Sequence, residues 1–377
     1  MGVFLRKKIK NILFVTVGYT FGGTEKMIAR ISPILRDRGY EIKVLAFKGW
    51  GPMVEELKKE KIKCISLFGK GKFDLRVLWR YFFYLLEFRP DLVIAFLYRA
   101  YIPTRIFCFL LGIPNISSVQ GVPGRVSLIQ KVIERITAPL SCGLYSCSNA
   151  VTEFLIKVIG IRKEFITTIN NGVDIKFFSR KINREKKIKE LGLNPDSKVV
   201  GTISRLEEPT KGIKILLEAF RVVQEKINSQ LLIVGSGKDE FWLKEMAKDL
   251  KIKAIFLGER SDVPEILQVM DVFVLSSFYE GLPIAILEAM ASQLPIVTTS
   301  AGSCGEVVLD GKTGFVVEPG NPSELAKRIE MLLKDDKKRR KFGEEGFKRV
   351  RENFTIDKTV SGIEGLWKKH LGSSLLF

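Results

Sequence analysis

Short apolar runs alternate with longer amphipathic segments along most of the chain. The runs are rich in Val, Ile, Leu and Phe, as buried strands are, and the segments between them have the length and periodicity of helices. In the first half the predicted strands lie at residues 11–17, 42–47, 92–96, 115–119 and 143–147. In the second half they lie at residues 199–204, 231–234, 254–257, 272–275, 296–299 and 315–317. Alternation of this kind predicts parallel sheets with helices on both faces.

The alternation pauses once, near the middle of the chain. A polar, lysine-rich segment at 179–189 precedes the strand that begins at Val199. We therefore predict an α/β protein of two doubly wound, Rossmann-like domains facing a central cleft. The first domain is expected to span 1–170 and the second 171–354, with a helix in 355–377 crossing back onto the first. Ligands in such folds bind at the carboxyl ends of the strands.

The cysteines and the amino terminus indicate a cytoplasmic protein. The five cysteines are odd in number and include no Cys-x-x-Cys pair, so reduced thiols are expected. The first ten residues carry charges where a signal peptide needs its apolar core. The most apolar region, 92–113, is interrupted by Arg99, Pro103 and Arg105, so it offers no span of about 18 apolar residues to cross a bilayer.

Positive charge is concentrated in the first half of the chain. Residues 1–170 hold 27 Lys and Arg against 12 Asp and Glu, whereas the remainder holds 34 against 30, within a net charge of +19. Such a field favours nucleic acid, phospholipid or a phosphorylated carrier as partner. Aromatic segments at 81–86 and 106–111 lie near five arginines, a mixture suited to peripheral contact with an anionic membrane. Core helices with solvated arginines are the alternative. The arginines are Arg76, Arg80, Arg89, Arg99 and Arg105.

The most informative stretch for chemistry is 277–288. A predicted strand ends at its start, Glu280 follows in the loop, and Pro283 suits the first turn of a helix that contains Glu288. The start of a helix attracts phosphate, and Gly281 permits close approach. Two carboxylates so placed could accept hydrogen bonds from sugar hydroxyls. The alternative is a solvated turn residue and an ordinary position on a helix surface.

A second loop supplies positive charge. Arg205 and Lys211 follow the first strand of the second domain and precede a helix. An arginine offers planar, multidentate donors and a lysine offers a mobile point charge, so together they could bind a diphosphate and offset charge on a leaving nucleoside diphosphate. A solvated basic loop is the alternative.

These motifs make the chain resemble the GT4-type family of retaining glycosyltransferases, which have the two-Rossmann-domain architecture called GT-B. The strongest part is the Glu-x7-Glu spacing of Glu280 and Glu288, and the resemblance covers nearly the whole chain. Supporting parts are Gly22-Gly-Thr-Glu25, Asn171-Gly-Val-Asp174, Val234-Gly-Ser-Gly237, Gly305-Glu306 and Gly311-Lys-Thr-Gly314.

The resemblance implies a role for each matching residue. Arg205 and Lys211 would clamp the diphosphate, Glu288 would accept ribose hydroxyl hydrogen bonds, and Glu280 would face the transferred sugar. The remaining donor-side residues would contribute backbone or line the cleft: Gly281, Leu282, Gly22, Gly23, Gly235 and Gly237.

One position departs from the family pattern. Many relatives present a histidine where this chain has Gln120, and its one histidine, His370, is expected at the surface. Gln120 could still hydrogen-bond a sugar hydroxyl, and its loop, which runs to Arg125, is assigned to the acceptor side. The loop offers no base, which is consistent with retention, because the departing phosphate oxygen is proposed to take the acceptor proton in retaining relatives. The absence of Asp-x-Asp predicts that no metal or other cofactor is needed.

The expected function is transfer of a hexosyl group from a UDP-sugar, or less readily a GDP-sugar, to a glycan or lipid-linked acceptor, in the synthesis of cell-surface polysaccharide or glycolipid. Two alternatives remain open. One is a sugar-nucleotide epimerase or another enzyme of the same fold. The other is a basic nucleic-acid-binding protein, although no recognition module is visible.

Overall fold

The computed structural model describes residues 9–20, 22–71, 74–122 and 126–373. The chain divides into two compact units, Met1–Asn171 with Ile356–Phe377 and Gly172–Thr355. The boundary after Asn171 lies one residue beyond the predicted boundary after residue 170. The carboxyl-terminal helix belongs to the first unit. In the part of the chain that is described, no helix is both long enough and apolar enough to span a bilayer.

The first unit contains a seven-stranded parallel sheet with the strand order β3-β2-β1-β4-β5-β6-β7. Its strands are β1 (Asn11–Thr16), β2 (Glu41–Ala46), β3 (Lys63–Ser66), β4 (Leu92–Phe96), β5 (Asn115–Val119), β6 (Gly143–Ser146) and β7 (Ile166–Thr168). Its α-helices up to the domain boundary are α1 (Gly23–Asp37), α2 (Met53–Lys59), α3 (Leu75–Phe88), α4 (Tyr98–Leu111), α5 (Leu128–Thr137) and α6 (Asn149–Phe154). Short 3-10 turns at Ala138–Leu140 and Lys163–Phe165 and a π turn at Leu155–Ile159 complete it.

The second unit contains a six-stranded parallel sheet with the strand order β10-β9-β8-β11-β12-β13. Its strands are β8 (Lys198–Ile203), β9 (Ser229–Val234), β10 (Ala254–Phe256), β11 (Val272–Leu275), β12 (Ile296–Thr299) and β13 (Gly314–Val317). Its helices are α7 (Ile175–Phe178), α8 (Arg184–Glu190), α9 (Ile213–Lys226), α10 (Glu240–Asp249), α11 (Val263–Leu267), α12 (Ile284–Ala291), α13 (Cys304–Val307), α14 (Pro322–Lys334) and α15 (Asp336–Asn353).

The last helix, α16 (Ile356–Ser373), packs on α1 in the first unit. Trp367 is fully buried there, with its ring edge-on to that of Tyr40 at 5.3 Å between centroids. Thr359 donates a hydrogen bond to the carbonyl of Asn170 at 2.8 Å, and Arg38 pairs with Glu364. The helix is therefore fixed to the first unit by apolar, polar and ionic contacts.

The strand order places each candidate loop within its own sheet. In the first sheet, β1 lies between β2 and β4. In the second sheet, β8 lies between β9 and β11. The order therefore reverses between β1 and β4 and between β8 and β11, and ligands of doubly wound sheets bind beyond the carboxyl ends at that point. The loops that carry Gly22, Arg205, Lys211 and Glu280 follow β1, β8 and β11, so each lies at the switch point of its sheet.

Candidate active site and family

A hydrogen-bonded ion pair joins Lys211 and Glu280 in the second unit. Lys211 Nζ donates to Glu280 Oε1 at 2.7 Å, and the Ser277 hydroxyl donates to the same oxygen at 2.7 Å. The lysine and glutamate side chains are only 14% and 10% exposed. Charge-assisted hydrogen bonds in such partly dry surroundings are stronger than those on an open surface. Neither residue is therefore simply solvated, as the alternative interpretations had it.

The pair forms because two loops leave the same edge of the sheet side by side. The backbone N–H of Phe278 donates to the carbonyl of Thr210 at 2.9 Å, and the Ser276 hydroxyl donates to the carbonyl of Lys211 at 3.2 Å. These bonds fasten the loop after β11 to the loop after β8. The two strands are neighbours in the sheet, so their carboxyl ends deliver the two side chains to one place.

The loop after β12 packs against the backbone of Glu280 and Gly281. Gly302 has a φ of +55°, and a Cβ atom there would lie 1.9 Å from the carbonyl oxygen of Glu280. The Ser303 hydroxyl donates to the carbonyl of Gly281. Only a glycine permits this approach. Gly302 and Ser303 were not among the predicted site residues, although a run of small residues at 300–303 follows the strand and was the available signal.

Glu288 lies inside α12 and is only 2% exposed, so its interpretation as a helix surface position is wrong. A buried carboxylate requires polar partners, which favours a structural or ligand-binding role over a solvating one. Leu282, just before the same helix, is also buried. Its side chain belongs to the core, and only its backbone is suited to meeting a ligand.

Arg205 does not share the hydrogen bonds of the pair. Its side chain is 60% exposed, and its Nη1 lies 3.2 Å from the Glu207 carboxylate. An exposed ion pair of this kind is worth about 0–1 kcal/mol, so the guanidinium is held only weakly. The structure thus brings Lys211 and Glu280 together and leaves Arg205 in the same loop, facing solvent.

The glycines after β9 allow a second close contact with that loop. Gly235 has a φ of +122°, and a Cβ atom there would lie 2.0 Å from the carbonyl oxygen of Ser204. A Cβ atom at Gly237 would lie 2.2 Å from the carbonyl oxygen of Leu206. Both glycines are therefore explained by packing against the loop that carries Arg205, and their contribution to donor binding stays a prediction.

In the first unit, Gly22 and Gly23 lie where α1 begins. Gly22 precedes the helix and Gly23 is its first residue. A Cβ atom at Gly22 would lie 2.4 Å from a carboxylate oxygen of Glu25, which is buried over the glycine. The glycine therefore makes room for an acidic side chain at the start of the helix.

Gln120 follows β5, and both the nitrogen and the oxygen of its side-chain amide are hydrogen-bonded. Its Nε2 donates to the Ser118 hydroxyl at 2.6 Å, and its Oε1 accepts from Asn171 Nδ2 at 2.8 Å. The second amide hydrogen and the second lone pair could still meet a ligand. Arg125, the other residue assigned to the acceptor side, lies outside the described residues. His370, expected at the surface, is partly exposed and partly buried against Gly143, and burial lowers its pKa.

The thiol of Cys304 lies in the same region as the ion pair. Burial, together with the negative charge of Glu280, raises its pKa to about 12. The thiol is therefore neutral near pH 7 and is not an activated nucleophile. Among the described residues, no group of three or more His, Cys, Asp or Glu is placed to hold a metal ion.

Sequence comparison covers both units. Residues 21–177 match the family described as "Glycosyltransferase Family 4", and residues 183–349 match the family described as "Glycosyl transferases group 1". The chain belongs to the GT4-type glycosyltransferases. The resemblance inferred from the motifs is thus confirmed.

Curated members of the family match this glycosyltransferase over part of its length. It is 31% identical to the N-acetyl-alpha-D-glucosaminyl L-malate synthase of Bacillus anthracis, over 54% of this chain and 53% of that protein. It is also 31% identical to the UDP-Gal:alpha-D-GlcNAc-diphosphoundecaprenol alpha-1,3-galactosyltransferase of Escherichia coli, over 64% of each chain. The matched segment thus spans between about half and two thirds of these relatives.

Solved structures match nearly the whole glycosyltransferase chain. The crystal structure of Anabaena Alr3699/HepE in complex with UDP and glucose superposes with a TM-score of 0.86 at 24% identity, over 96% of this chain and 100% of that one. At this identity the likeness establishes the fold. The expected fold class, GT-B with two doubly wound α/β domains, is confirmed.

Proposed function

We propose that this glycosyltransferase transfers a hexosyl group from a nucleotide sugar to a glycan or lipid-linked acceptor, with retention of the anomeric configuration. The observation that carries the proposal is the Lys211–Glu280 pair at the switch point of the second sheet. It places a cation and a carboxylate in partly dry surroundings, where a charged donor with sugar hydroxyls can be bound and polarised. The second unit is accordingly the donor-binding domain and the first the acceptor-binding domain.

Each proposed role follows from the chemistry of the side chain. Lys211 and Arg205 offset the negative charge that grows on the leaving nucleoside diphosphate. Glu280 accepts hydrogen bonds from the transferred sugar, and Glu288 accepts them from the ribose. As the bond from the anomeric carbon to the β-phosphate oxygen breaks, the acceptor oxygen bonds to that carbon on the same face, and the departing phosphate oxygen takes the acceptor proton.

A uridine donor is preferred in this proposal. The Anabaena structure contains UDP and glucose, and the name of the Escherichia coli relative specifies UDP-Gal. That relative acts on a diphosphoundecaprenol-linked sugar, which supports a lipid-linked acceptor and a pathway of cell-surface polysaccharide or glycolipid synthesis. We place the chain in the cytoplasm, in peripheral contact with the cytoplasmic face of an anionic membrane through the +15 first domain. Nucleic acid is not proposed as a partner.

No metal is assigned a role in the proposed reaction. Two cationic side chains and the start of α12 supply the positive charge that a divalent ion would otherwise provide. Activity is accordingly expected to survive dialysis against EDTA. Full loss of activity that returns only with added Mg²⁺ or Mn²⁺ would contradict this part of the proposal.

Calorimetric titration with UDP and with GDP tests the donor site. Glu288→Gln and Arg205→Ala are each expected to weaken UDP binding by about tenfold, because each removes a hydrogen bond to a charged or desolvated group. Arg221→Ala is the matched control, since Arg221 is similarly exposed on α9 and pairs only with Glu225. Unchanged UDP affinity in both site variants refutes the assignment.

Product analysis tests the reaction itself. Incubation with a UDP-sugar and an acceptor should give a glycoside whose anomeric configuration, read by NMR, equals that of the donor. An epimerase would instead convert the UDP-sugar into its epimer without an acceptor. Inverted product would overturn the proposal of retention and leave that of glycosyl transfer standing.

A further inference from the structure

Helix α5 carries its apolar side chains on the outside. Leu128, Ile129 and Ile136 are 77%, 72% and 67% exposed, whereas its buried residues are Glu134 and Thr137. An ordinary surface helix turns its apolar stripe to the core and its charges to water. This helix does the reverse.

A buried arginine on α4 fixes the rotation of α5. Arg105 is fully buried, and its Nη2 donates to Glu134 Oε1 at 2.9 Å. Its Nη1 donates to the Thr137 hydroxyl at 3.0 Å, and its Nε donates to the Ser117 hydroxyl at 2.8 Å. Rotating α5 to bury its aliphatic residues would leave this arginine without its counter-charge in the core, which is strongly unfavourable. The outward apolar stripe is therefore built into the fold.

The exposed apolar surface continues across the neighbouring helices. Helices α3, α4 and α5 are successive neighbours, and α4 packs on β4 and β5 of the first sheet. We call their outer surface the α3–α5 face. Its exposed apolar residues are Leu75, Trp79, Phe83, Leu86, Ile106, Phe109, Leu110, Leu128, Ile129, Val132, Ile133 and Ile136. Many large apolar side chains exposed together on three neighbouring helices mark a binding surface.

The exposed charges on the α3–α5 face are almost all positive. Arg76, Arg80 and Arg135 are exposed on α3 and α5, and Glu87 is the one exposed acidic residue on the three helices. Arg99, at the start of α4, instead lines a separate hollow with Val17 and Lys48. A shallow hollow beside α3 is lined by Trp79, Phe83 and Arg80, together with Tyr84, Glu87 and residues 66–68. Aromatic rings beside a guanidinium suit the level of lipid headgroups, where apolar and anionic groups meet.

We infer that the α3–α5 face docks on an anionic phospholipid bilayer, with α5 lying in the headgroup region and its aliphatic stripe in the outer acyl chains. A second copy of the chain fits less well. A two-fold interface would set the same basic face against itself and bring like charges together. An anionic bilayer instead complements the charge and the apolar surface at once. This inference rests on the membrane contact put forward with the proposed function and assigns it to one face. It uses the first unit alone, so its failure would leave the proposed sugar transfer untouched.

Flotation of the full chain with lipid vesicles tests the inference. The chain should bind vesicles that contain phosphatidylglycerol, bind pure phosphatidylcholine vesicles much more weakly, and dissociate as salt is raised. The double variant Ile129→Gln with Ile136→Gln should lower the partition coefficient by at least about tenfold, because two aliphatic side chains no longer insert. The matched control is Phe241→Gln with Trp242→Gln, two exposed apolar residues on α10 that lie outside this face.

Three further measurements make every outcome decisive. Thermal unfolding of the double variant should match that of the parent, because both substituted side chains point to solvent, and UDP affinity should be unchanged. Sedimentation velocity reports self-association. Vesicle binding that is equal in parent and double variant overturns the inference, as does equal binding to neutral and anionic vesicles. A parent dimer that the double variant converts to monomer, without vesicle binding, would assign the face to a second copy instead.

Discussion

Replacing Glu280 by glutamine should strengthen the binding of UDP while weakening sugar transfer. Glu280 accepts a 2.7 Å hydrogen bond from Lys211 and adds a negative charge beside the proposed diphosphate position. A glutamine has nearly the same shape and can still accept from the Ser277 hydroxyl, but it carries no charge. The substitution therefore releases the lysine for the diphosphate and removes a charge that repels it.

The size of the effect follows from the hydrogen bond that is changed. A hydrogen bond to a charged group contributes about 1.5–3 kcal/mol. Lys211 stays charged in the variant and can still bond to the glutamine, so we take the lost ionic part as about half of this, roughly 1–1.5 kcal/mol. Both side chains are mostly buried, at 14% and 10% exposure, so solvent screening removes little of it. Since each 1.4 kcal/mol is a factor of ten, UDP should bind roughly tenfold more tightly.

Calorimetry with UDP alone isolates this effect, because UDP lacks the transferred hexosyl group that Glu280 is proposed to hold. Glu225→Gln on α9 is the control, since Glu225 pairs with Arg221 on an exposed surface, and its UDP affinity should be unchanged. Transfer from the complete UDP-sugar should fall in Glu280→Gln, because the carboxylate no longer holds the sugar. The reasoning is refuted if Glu280→Gln binds UDP with equal or lower affinity than the parent.

Three other substitutions probe the support of the site and the stability of each unit. Gly302→Ala should displace the loop below the ion pair and lower UDP affinity severalfold in calorimetry, whereas Gly305→Ala should not, because a Cβ atom there meets nothing within 4 Å. Glu134→Gln should destabilise the first unit by about 3–5 kcal/mol in urea unfolding, because it leaves a buried arginine uncompensated. Hydrogen bonds from Arg260 hold the pKa of Asp262 well below its usual range, so its stabilisation is complete above about pH 4 and is lost as the pH falls further. Asp262→Asn should lack this part of the acid sensitivity in unfolding midpoints measured across a pH series.

The sequence was sufficient to predict most of the strands. All eleven predicted strands are present, because strands buried on both faces of a parallel sheet appear as continuous apolar runs. The strands that were missed, β3 and β7, are short and lie at the two edges of the first sheet. Their residues are less buried and more polar, so the same pattern does not mark them.

The sequence predicted that Lys211 and Glu280 lie in loops at the carboxyl ends of strands, but not that their side chains meet. The spacing of Glu280 and Glu288 and the loop position of Lys211 indicated a donor site. The bond between Lys211 and Glu280 depends on the pairing of β8 with β11, strands whose loops are distant in the sequence. The sequence contains no local signal for that pairing, so the burial of Lys211 and the exposure of Arg205 could not be predicted from it.

Arg105 shows a second limit of sequence patterns. It was grouped with four other arginines around an apolar segment, either as a membrane-facing or as a solvated residue, yet it is fully buried. Its partner Glu134 is on another helix, so no local periodicity reveals the pair. A prediction that every apolar helix face packs on the core would therefore give α5 the wrong orientation.

The two cations of the site differ in how readily they can exchange partners. Arg205 is held by an exposed pair with Glu207, which is worth little and can be given up at almost no cost. Lys211 is held by a mostly buried pair, and a ligand must displace Glu280 or share the lysine with it. In the proposed reaction, a diphosphate would therefore meet the guanidinium first and the ammonium second. When the diphosphate takes over Lys211, the Glu280 carboxylate is freed from the lysine. It can then accept hydrogen bonds from the sugar while the lysine neutralises the phosphates. Binding of the donor and positioning of its sugar are thus coupled through one hydrogen bond.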